Sequence, residues 1–155
     1  MDYIELQKEV FQELQHPDEG WEINFPLGVV FRGYAEKWVS QHMPVTFTSL
    51  NPLQAQEYSD RIICIEPNVT NTIDLRPLIS DDEVDQQYGG DYGIYIEDLA
   101  MKLANESKFD SALIETEGNM AGPELILFEP EKAKVIGHLE IDWDEMVLSI
   151  FKHRI

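Results

Sequence analysis

The sequence has a single cysteine, Cys64, in a chain of 155 residues. One cysteine cannot close an internal disulfide, which favours a reducing compartment and hence a cytoplasmic protein. Cys64 lies in the apolar stretch RIICIEP, where a free cysteine typically acts as a small buried hydrophobic residue. The four histidines are scattered and show no pair at the spacing of a zinc site, so we expect no metal.

Basic residues are also scarce: the chain has 11 Lys and Arg but 30 Asp and Glu, which gives a formal net charge of -19. Such a charge repels phosphate backbones and anionic lipids, so we expect no nucleic-acid ligand. No apolar run approaches the roughly 18 residues that span a bilayer, and the segment MDYIELQKEV is not a secretory leader, so we expect no membrane association. The acidic surplus fits either a surface kept for solubility or a match to a basic protein partner.

The short motifs that mark common catalytic sites are missing as well. There is no P-loop, no GxGxxG segment between a strand and a helix, and no GxSxG. The glycine-rich segment YGGDYG, residues 88 to 93, follows no predicted strand and is more typical of a turn. Because Cys64 has no evident basic partner, no nucleophile for acyl transfer is indicated.

What the chain does contain is enough apolar side chain for a core. The 43% apolar content is typical of a globular protein, and a chain of this length buries roughly 70% of its unfolded surface. No internal repeat, low-complexity tract or Gly/Ser linker interrupts it. We therefore expect a single domain over residues 1 to 155.

Hydrophobic periodicity predicts helices and strands in alternation along the first half. Apolar residues at helical spacing predict an amphipathic helix in YIELQKEVFQEL, and Asn51 followed by Pro52 is typical of a helix start. Short β-branched and aromatic runs predict strands in GVVFRGY, PVTFTSL, RIICIEP and NTIDL.

The second half is predicted to contain one helix and then mainly strands. Residues 80 to 93 are rich in Asp, Gln and Gly and are expected to form a loop, whereas IYIEDLAMKLANES has a helical apolar face. Strands are predicted in SALIETE, ELILFEP and AKVIGHLEI, and MVLSIFKHRI fits a strand or a helix. Since strands follow one another directly, neighbours should pair antiparallel, and the fold class is α+β.

Polar residues at the edges of the predicted strands are the candidates for chemistry. Arg32 has a structural explanation in pairing with a carboxylate, and Glu124 could be a charge that protects a strand edge from aggregation. Gly33 beside Arg32 would let a ligand approach the backbone closely, and Thr48 and Ser49 end the TFTSL run.

The order of these segments carries more information than any one of them. VVFRG, then TFTSLNPLQAQEY, then KFDSALIE, then PELILFEPEKAKVIG resembles the ADP-ribosyltransferase-like proteins of bacterial toxins and phages. The resemblance covers about residues 28 to 137 and implies a mainly antiparallel, split β-sheet core with an N-terminal helix and short flanking helices.

The resemblance also implies roles for individual residues, with NAD as the donor. Arg32 would hold the phosphates or the nicotinamide ribose, and Gly33 would offer its backbone to the nicotinamide amide. Thr48 and Ser49 would fix the site by hydrogen bonds, while Tyr58 would stack on the nicotinamide ring or belong to the core. Glu124 would be the catalytic carboxylate that stabilises an oxocarbenium-like transition state, with GNMAGP before it as a target-recognition loop.

One departure from the family pattern concerns the acceptor, and a second acidic motif competes with Glu124. Many relatives that modify arginine or asparagine side chains carry Glu or Gln two residues before the catalytic glutamate, where this chain has Gly122. A second acidic motif, Glu115 to Glu117, ends its strand rather than starting it, and we rank it behind Glu124.

Three functions follow as hypotheses. The first is a mono-ADP-ribosyltransferase that modifies a protein with a basic surface, in the manner of a phage or bacterial effector. The second is a non-enzymatic immunity or anti-defence protein whose acidic face masks a basic nuclease or nucleic-acid-binding protein. The third is a domain in which the polar residues at the strand edges are purely structural.

Overall fold

The structure is a computed structural model that describes residues 3–18, 20–34, 45–55, 61–116 and 122–152. Within these ranges the chain forms four α-helices and one mixed sheet of nine strands. The predicted α+β class is confirmed.

The first helix, α1, spans Tyr3–Leu14, as the apolar periodicity predicts. It buries the expected apolar face, and among the residues of that face is a polar one, Gln7, which is fully buried. The Gln7 amide nitrogen donates to the carbonyl oxygens of Val29 (2.6 Å) and Leu50 (3.3 Å), and its oxygen accepts from the Gly28 amide (2.6 Å). One side chain therefore ties α1 to two points of the sheet.

The strands are β1 (Glu22–Asn24), β2 (Val30–Gly33), β3 (Thr46–Ser49), β4 (Ile62–Glu66), β5 (Thr72–Asp74), β6 (Ser111–Thr116), β7 (Gly122–Leu127), β8 (Lys134–Asp142) and β9 (Val147–Phe151). Their order in the sheet is β1-β9-β8-β4-β2-β3-β7-β6-β5. The pairs β1–β9 and β5–β6 are parallel and the other pairs are antiparallel, so the sheet is mixed but mainly antiparallel. Strand β1 was not predicted, and the final apolar segment forms a strand rather than a helix.

The sheet is continuous where we expected a split. Strands β2 and β3 share one register pair, Phe31 with Ser49, whereas β2 pairs with β4 over all four of its residues. This single pair joins the two halves of the sheet.

The expectation that consecutive strands pair is right for β6–β7 and β8–β9 but wrong for β7–β8. Strand β7 lies between β3 and β6, and β8 lies between β4 and β9. A 3₁₀ turn at Pro130–Lys132 separates the two strands, and the Asn68 side chain donates to the Lys132 carbonyl oxygen at 2.9 Å. The chain thus leaves β7 and crosses to the far side of β2.

The short helix α2 spans Pro52–Ala55 and begins as predicted. Asn51 caps it, since the side-chain oxygen of Asn51 accepts from the Leu53 amide at 3.0 Å.

The prediction of a loop over residues 80 to 93 is wrong. Helix α3 spans Asp81–Tyr88, and helix α4 follows at Tyr92–Glu106, two residues before its predicted start. Ser80 caps α3 by accepting from the Glu83 amide, and Gly89 ends it in the left-handed conformation with φ 59°. Two features stabilise this helix despite its polar composition. The capping pattern Ser-x-x-Glu is present at its start, and Val84 is fully buried.

Helices cover both faces of the sheet. Helix α1 packs with Tyr3 and Leu6 on a cluster that includes Val30, Leu113 and Leu125. On the other face, the helices α3 and α4 cover a cluster of buried strand residues that includes Ala112, Ile114 and Ile126. Ala55 of α2 packs on that second face beside Phe31 and Cys64. Strands β3 and β7 therefore run between two packed layers, with α2 beside them.

Candidate functional site

Glu124 lies near the start of β7 in the middle of the sheet. Its register partners are Ser49 on β3 and Ile114 on β6. Register partners point to the same face, so the Glu124 carboxyl stands between a hydroxyl and a fully buried apolar side chain. The sequence predicted that Glu124 starts this strand, whereas the strand begins two residues earlier at Gly122 and Glu124 is its third residue, in a half-buried position.

The surroundings of Glu124 favour its neutral form. Burial raises the pKa of Glu124 from 4.5 to about 7, and the positive charge of Arg32 partly opposes that rise. The carboxyl therefore changes charge near neutral pH. A carboxyl with this behaviour, close to a cation, is a typical candidate for a functional group.

Arg32 lies in β2 beside the narrow join between β2 and β3. Its Nη1 atom donates to the Phe47 carbonyl oxygen at 2.6 Å, so the guanidinium bridges the two strands beyond their single register pair. By strand alternation the Arg32 side chain starts on the face opposite Ser49 and Glu124. Its guanidinium nevertheless acts on Glu124, because its charge lowers the pKa of that carboxyl.

Ser49 is nearly buried, and its hydroxyl joins β3 to α2. The hydroxyl oxygen lies 2.7 Å from the Gln54 side-chain oxygen and 2.8 Å from the Asn51 carbonyl oxygen, and it accepts from the Asn51 amide at 3.1 Å. A hydroxyl has one proton, so it donates to one of these two oxygens at a time.

The structure does not bring Thr48 to this group. Thr48 follows the strand alternation to the other face, where its hydroxyl donates to the Leu125 carbonyl oxygen at 2.7 Å. Gly33 ends β2, opposite Ile62. Tyr58 and residues 118 to 121 of the GNMAGP segment lie outside the described residues.

Gln54 is a member of the site that the sequence analysis missed. Only 5% of it is exposed, and its side-chain oxygen lies 2.5 Å from the point where a Cβ atom on Gly122 would stand. Gly122 precedes Glu124 by two residues on β7 and so faces the same side. A sequence feature could have indicated Gln54. It lies three residues after the helix cap Asn51, at the position where a Gln side chain often bonds back to the backbone of the cap residue.

The second acidic motif is placed differently. Glu115 is exposed and pairs with Pro123, so by alternation its side chain is on the opposite face from Glu124. Its negative charge acts instead on Arg76, whose pKa rises mainly through its hydrogen bonds to Asp74. Glu117 lies outside the described residues.

In the described ranges, no three His, Cys, Asp or Glu side chains come together as a group that could hold a metal ion. Cys64 is fully buried, and burial raises the pKa of its thiol to about 12, so it is not an activated nucleophile. Over the same part of the chain, no helix combines the length and the apolar content needed to cross a membrane.

Comparison with protein-family models, with curated protein sequences and with solved structures gives no match.

Proposed function

We propose that the protein is an NAD-dependent mono-ADP-ribosyltransferase that modifies a protein target with a basic surface. The observation that carries this proposal is that Ser49 and Glu124 are register partners beside the point where β2 and β3 separate, while the charge of Arg32 acts on the Glu124 carboxyl. The segments that bear these residues are those on which the sequence resembles the ADP-ribosyltransferase-like family.

The site contains groups of the kind that NAD requires. A guanidinium suits the two phosphates of the dinucleotide, and Arg32 is a cation in a chain whose net charge is -19. A carboxylate suits the ribose hydroxyls and the positive charge that develops when a glycosidic bond breaks. Arg32 on β2 and Glu124 on β7 are separated by β3, and the charge of Arg32 acts on the Glu124 carboxyl across that strand.

The transfer requires NAD as donor: the bond from C1′ of the ribose to the nicotinamide nitrogen breaks, with its electron pair leaving on nicotinamide, and an acceptor atom bonds to C1′ and loses its proton to water. Glu124 acts as the ionised carboxylate that accepts a hydrogen bond from the ribose and stabilises positive charge at C1′. Arg32 holds the phosphates, and Ser49 keeps the Glu124 strand next to α2. Because Glu124 must be ionised, nicotinamide release should rise as the pH passes through about 7.

The test is transfer of label from NAD to proteins of a lysate, together with nicotinamide release by the purified protein. Glu124→Gln and Arg32→Lys should lose both activities, since one lacks the charge and the other lacks the bidentate geometry. Glu115→Gln on β6 and Arg76→Lys in the turn after β5 are matched controls and should retain them. If the wild type releases no nicotinamide at any pH between 6 and 9, the enzyme hypothesis is wrong.

A second candidate function is the binding of a basic protein without catalysis. The turn between β8 and β9 exposes Trp143, 59% of which is accessible, between Asp142 and Asp144, and Trp143 rests edge-on against the buried Trp21. An exposed tryptophan on an acidic surface has the composition of a binding hot spot for a cationic partner.

This second function predicts selective, salt-sensitive capture. The wild type should retain basic proteins from a lysate at low salt, and Trp143→Ala should release them. Tyr92→Ala, which alters another exposed aromatic residue, is the control that should leave capture unchanged. Equal capture by the wild type and both variants would contradict a role for Trp143.

A further inference from the structure

We infer that Gln54 is a positioning residue that holds the Glu124 end of β7 against β3 and keeps water from the Glu124 carboxyl. Its effect on catalysis rests on the proposed function, whereas its effect on Glu124 does not. The inference stands on two contacts of the buried side-chain amide, with the Ser49 hydroxyl and with the Gly122 backbone, and on the hydrogen bond that holds the Gln54 backbone in the first turn of α2.

The first contact fixes the orientation of the amide. The side-chain oxygen of Gln54 lies 2.7 Å from the Ser49 hydroxyl, and since both atoms are nearly buried, this hydrogen bond does not compete with bulk water. Ser49 is in turn the register partner of Glu124. Gln54 therefore bonds to the residue that lies directly opposite the carboxyl.

In the second contact, the Gln54 amide occupies the space beside Gly122 where a larger residue would have its Cβ atom. A Cβ atom on Gly122 would be 2.5 Å from the Gln54 oxygen, 3.0 Å from its Cδ and 3.4 Å from its nitrogen. All three atoms of the amide thus lie against the Gly122 backbone. Gly122 also has φ 151°, a conformation that L side chains rarely adopt, so the backbone favours glycine, and a Cβ atom there would have to displace the end of the Gln54 side chain.

The third contact, made by the backbone, sets where the Gln54 side chain begins. Asn51 caps α2 by accepting from the Leu53 backbone N–H, and the Gln54 backbone N–H donates to the Asn51 carbonyl oxygen at 3.2 Å. The backbone of Asn51 also bonds to the Ser49 hydroxyl: its N–H donates to that oxygen, and its carbonyl oxygen lies within hydrogen-bond distance of it. Gln54 is therefore held in the first turn of a helix that is itself bonded to the end of β3.

Together these contacts place a neutral, fully packed amide on the face of the sheet that Glu124 occupies. Ser49 of β3 and Ile114 of β6 are the register partners of Glu124, and Gln54 of α2 bonds to Ser49; these three residues carry no charge, and the charged group that acts on the carboxyl is Arg32. Removing the amide should admit water to the carboxyl. Replacing it with a second carboxylate should add repulsion.

The test is the titration of the Glu124 carboxyl, followed by carbon NMR, in the purified wild type and in two variants. Gln54→Ala should lower the titration midpoint by about one pH unit, because a solvated carboxyl ionises more easily. Gln54→Glu keeps the length of the side chain and an acceptor for Ser49, and it should raise the midpoint by about one pH unit through like-charge repulsion. Gln87→Ala, an exposed glutamine of α3, is the control that should leave the midpoint unchanged.

A second measurement tests the fit to Gly122. Gly122→Ala should lower the folding equilibrium constant at least tenfold more in the wild-type background than in the Gln54→Ala background, because the second background lacks the three atoms that the new Cβ would meet. Equal effects in the two backgrounds would mean that the amide does not pack on Gly122. Midpoints that stay unchanged in both Gln54 variants would overturn the inference.

If the proposed function holds, Gln54→Ala should lower kcat for nicotinamide release by about tenfold to a hundredfold, with KM changed less than about threefold. If the wild type proves inactive, the proposed function fails, but the titration and the Gly122 cycle still decide whether Gln54 positions Glu124. The two failures are therefore distinguishable.

Discussion

Ser49 and Glu124 lie directly opposite each other on β3 and β7, so that a buried hydroxyl stands beside a half-buried carboxyl. This carboxyl has a pKa of about 7, chiefly because of burial. Holding an acid in such a place costs stability whenever the acid is ionised. A strand edge that needed only protection from aggregation would be served as well by an exposed acid. Because an ionised Glu124 lowers the stability of the fold at this position, Glu124 is a candidate for a functional role.

Glu124→Gln should stabilise the protein at pH 8 by about 1–3 kcal/mol and leave its stability unchanged at pH 4. The folded state keeps the Glu124 proton up to about pH 7, whereas the unfolded chain loses it near 4.5. Between these values the folded state binds more protons, so the free energy of unfolding of the wild type falls as the pH rises. Urea unfolding across the pH range measures the difference. A variant that is less stable than the wild type at pH 8 would contradict this account.

Gln7→Leu should destabilise the fold by about 2–4 kcal/mol. The replacement has a similar size, but it leaves the Gly28 amide and the Val29 carbonyl oxygen buried without the partners that Gln7 supplies. Because these atoms precede β2, the loss should also disturb Arg32. Gln12→Leu, on an exposed side of α1, is the matched control and should change the unfolding midpoint little.

Asp110→Asn should destabilise the protein by about 1 kcal/mol at pH 7, because its hydrogen bonds to Thr70 and Asn71 lie at the solvent-exposed surface and are screened. Burial acts to raise the pKa of Asp110, but hydrogen bonds from Thr70, Asn71 and Ser111 outweigh it and hold that pKa below its usual range. An acid with a lowered pKa contributes its stability above the unfolded pKa and loses it as the pH falls through the folded one. The two proteins should therefore converge in strong acid, and a constant difference down to pH 2 would be inconsistent with this cause.

Gly137→Ala should cost about 1–3 kcal/mol. A Cβ atom there would stand 2.8 Å from both the Phe151 carbonyl oxygen and the Ile150 Cγ2 atom, so β9 would have to shift away from β8. Thermal unfolding should show a lower midpoint. Gly93→Ala in the first turn of α4, where the nearest atom is 3.4 Å away, is the control and should have a neutral or slightly favourable effect.

Local patterns predicted the elements whose causes are local. The helix α1 follows from apolar residues at helical spacing, and α2 follows from Asn51 and Pro52. Helix α3 was missed because its acidic composition was weighed more heavily than its cap at Ser80. The prediction that β7 and β8 are neighbours was wrong because strand order is not a local property. Strand β8 pairs with β4, which is distant in the chain.

The candidate site divides in the same way. Arg32, Ser49 and Glu124 could be predicted as candidates because each is a polar residue within or beside an apolar run that is typical of a strand. Their relative positions could not be predicted, because a register shift of one residue would turn Ser49 or Glu124 to the opposite face. Gln54 and the rise in the pKa of Glu124 also belong to the tertiary structure, since desolvation depends on which distant side chains pack around a carboxyl.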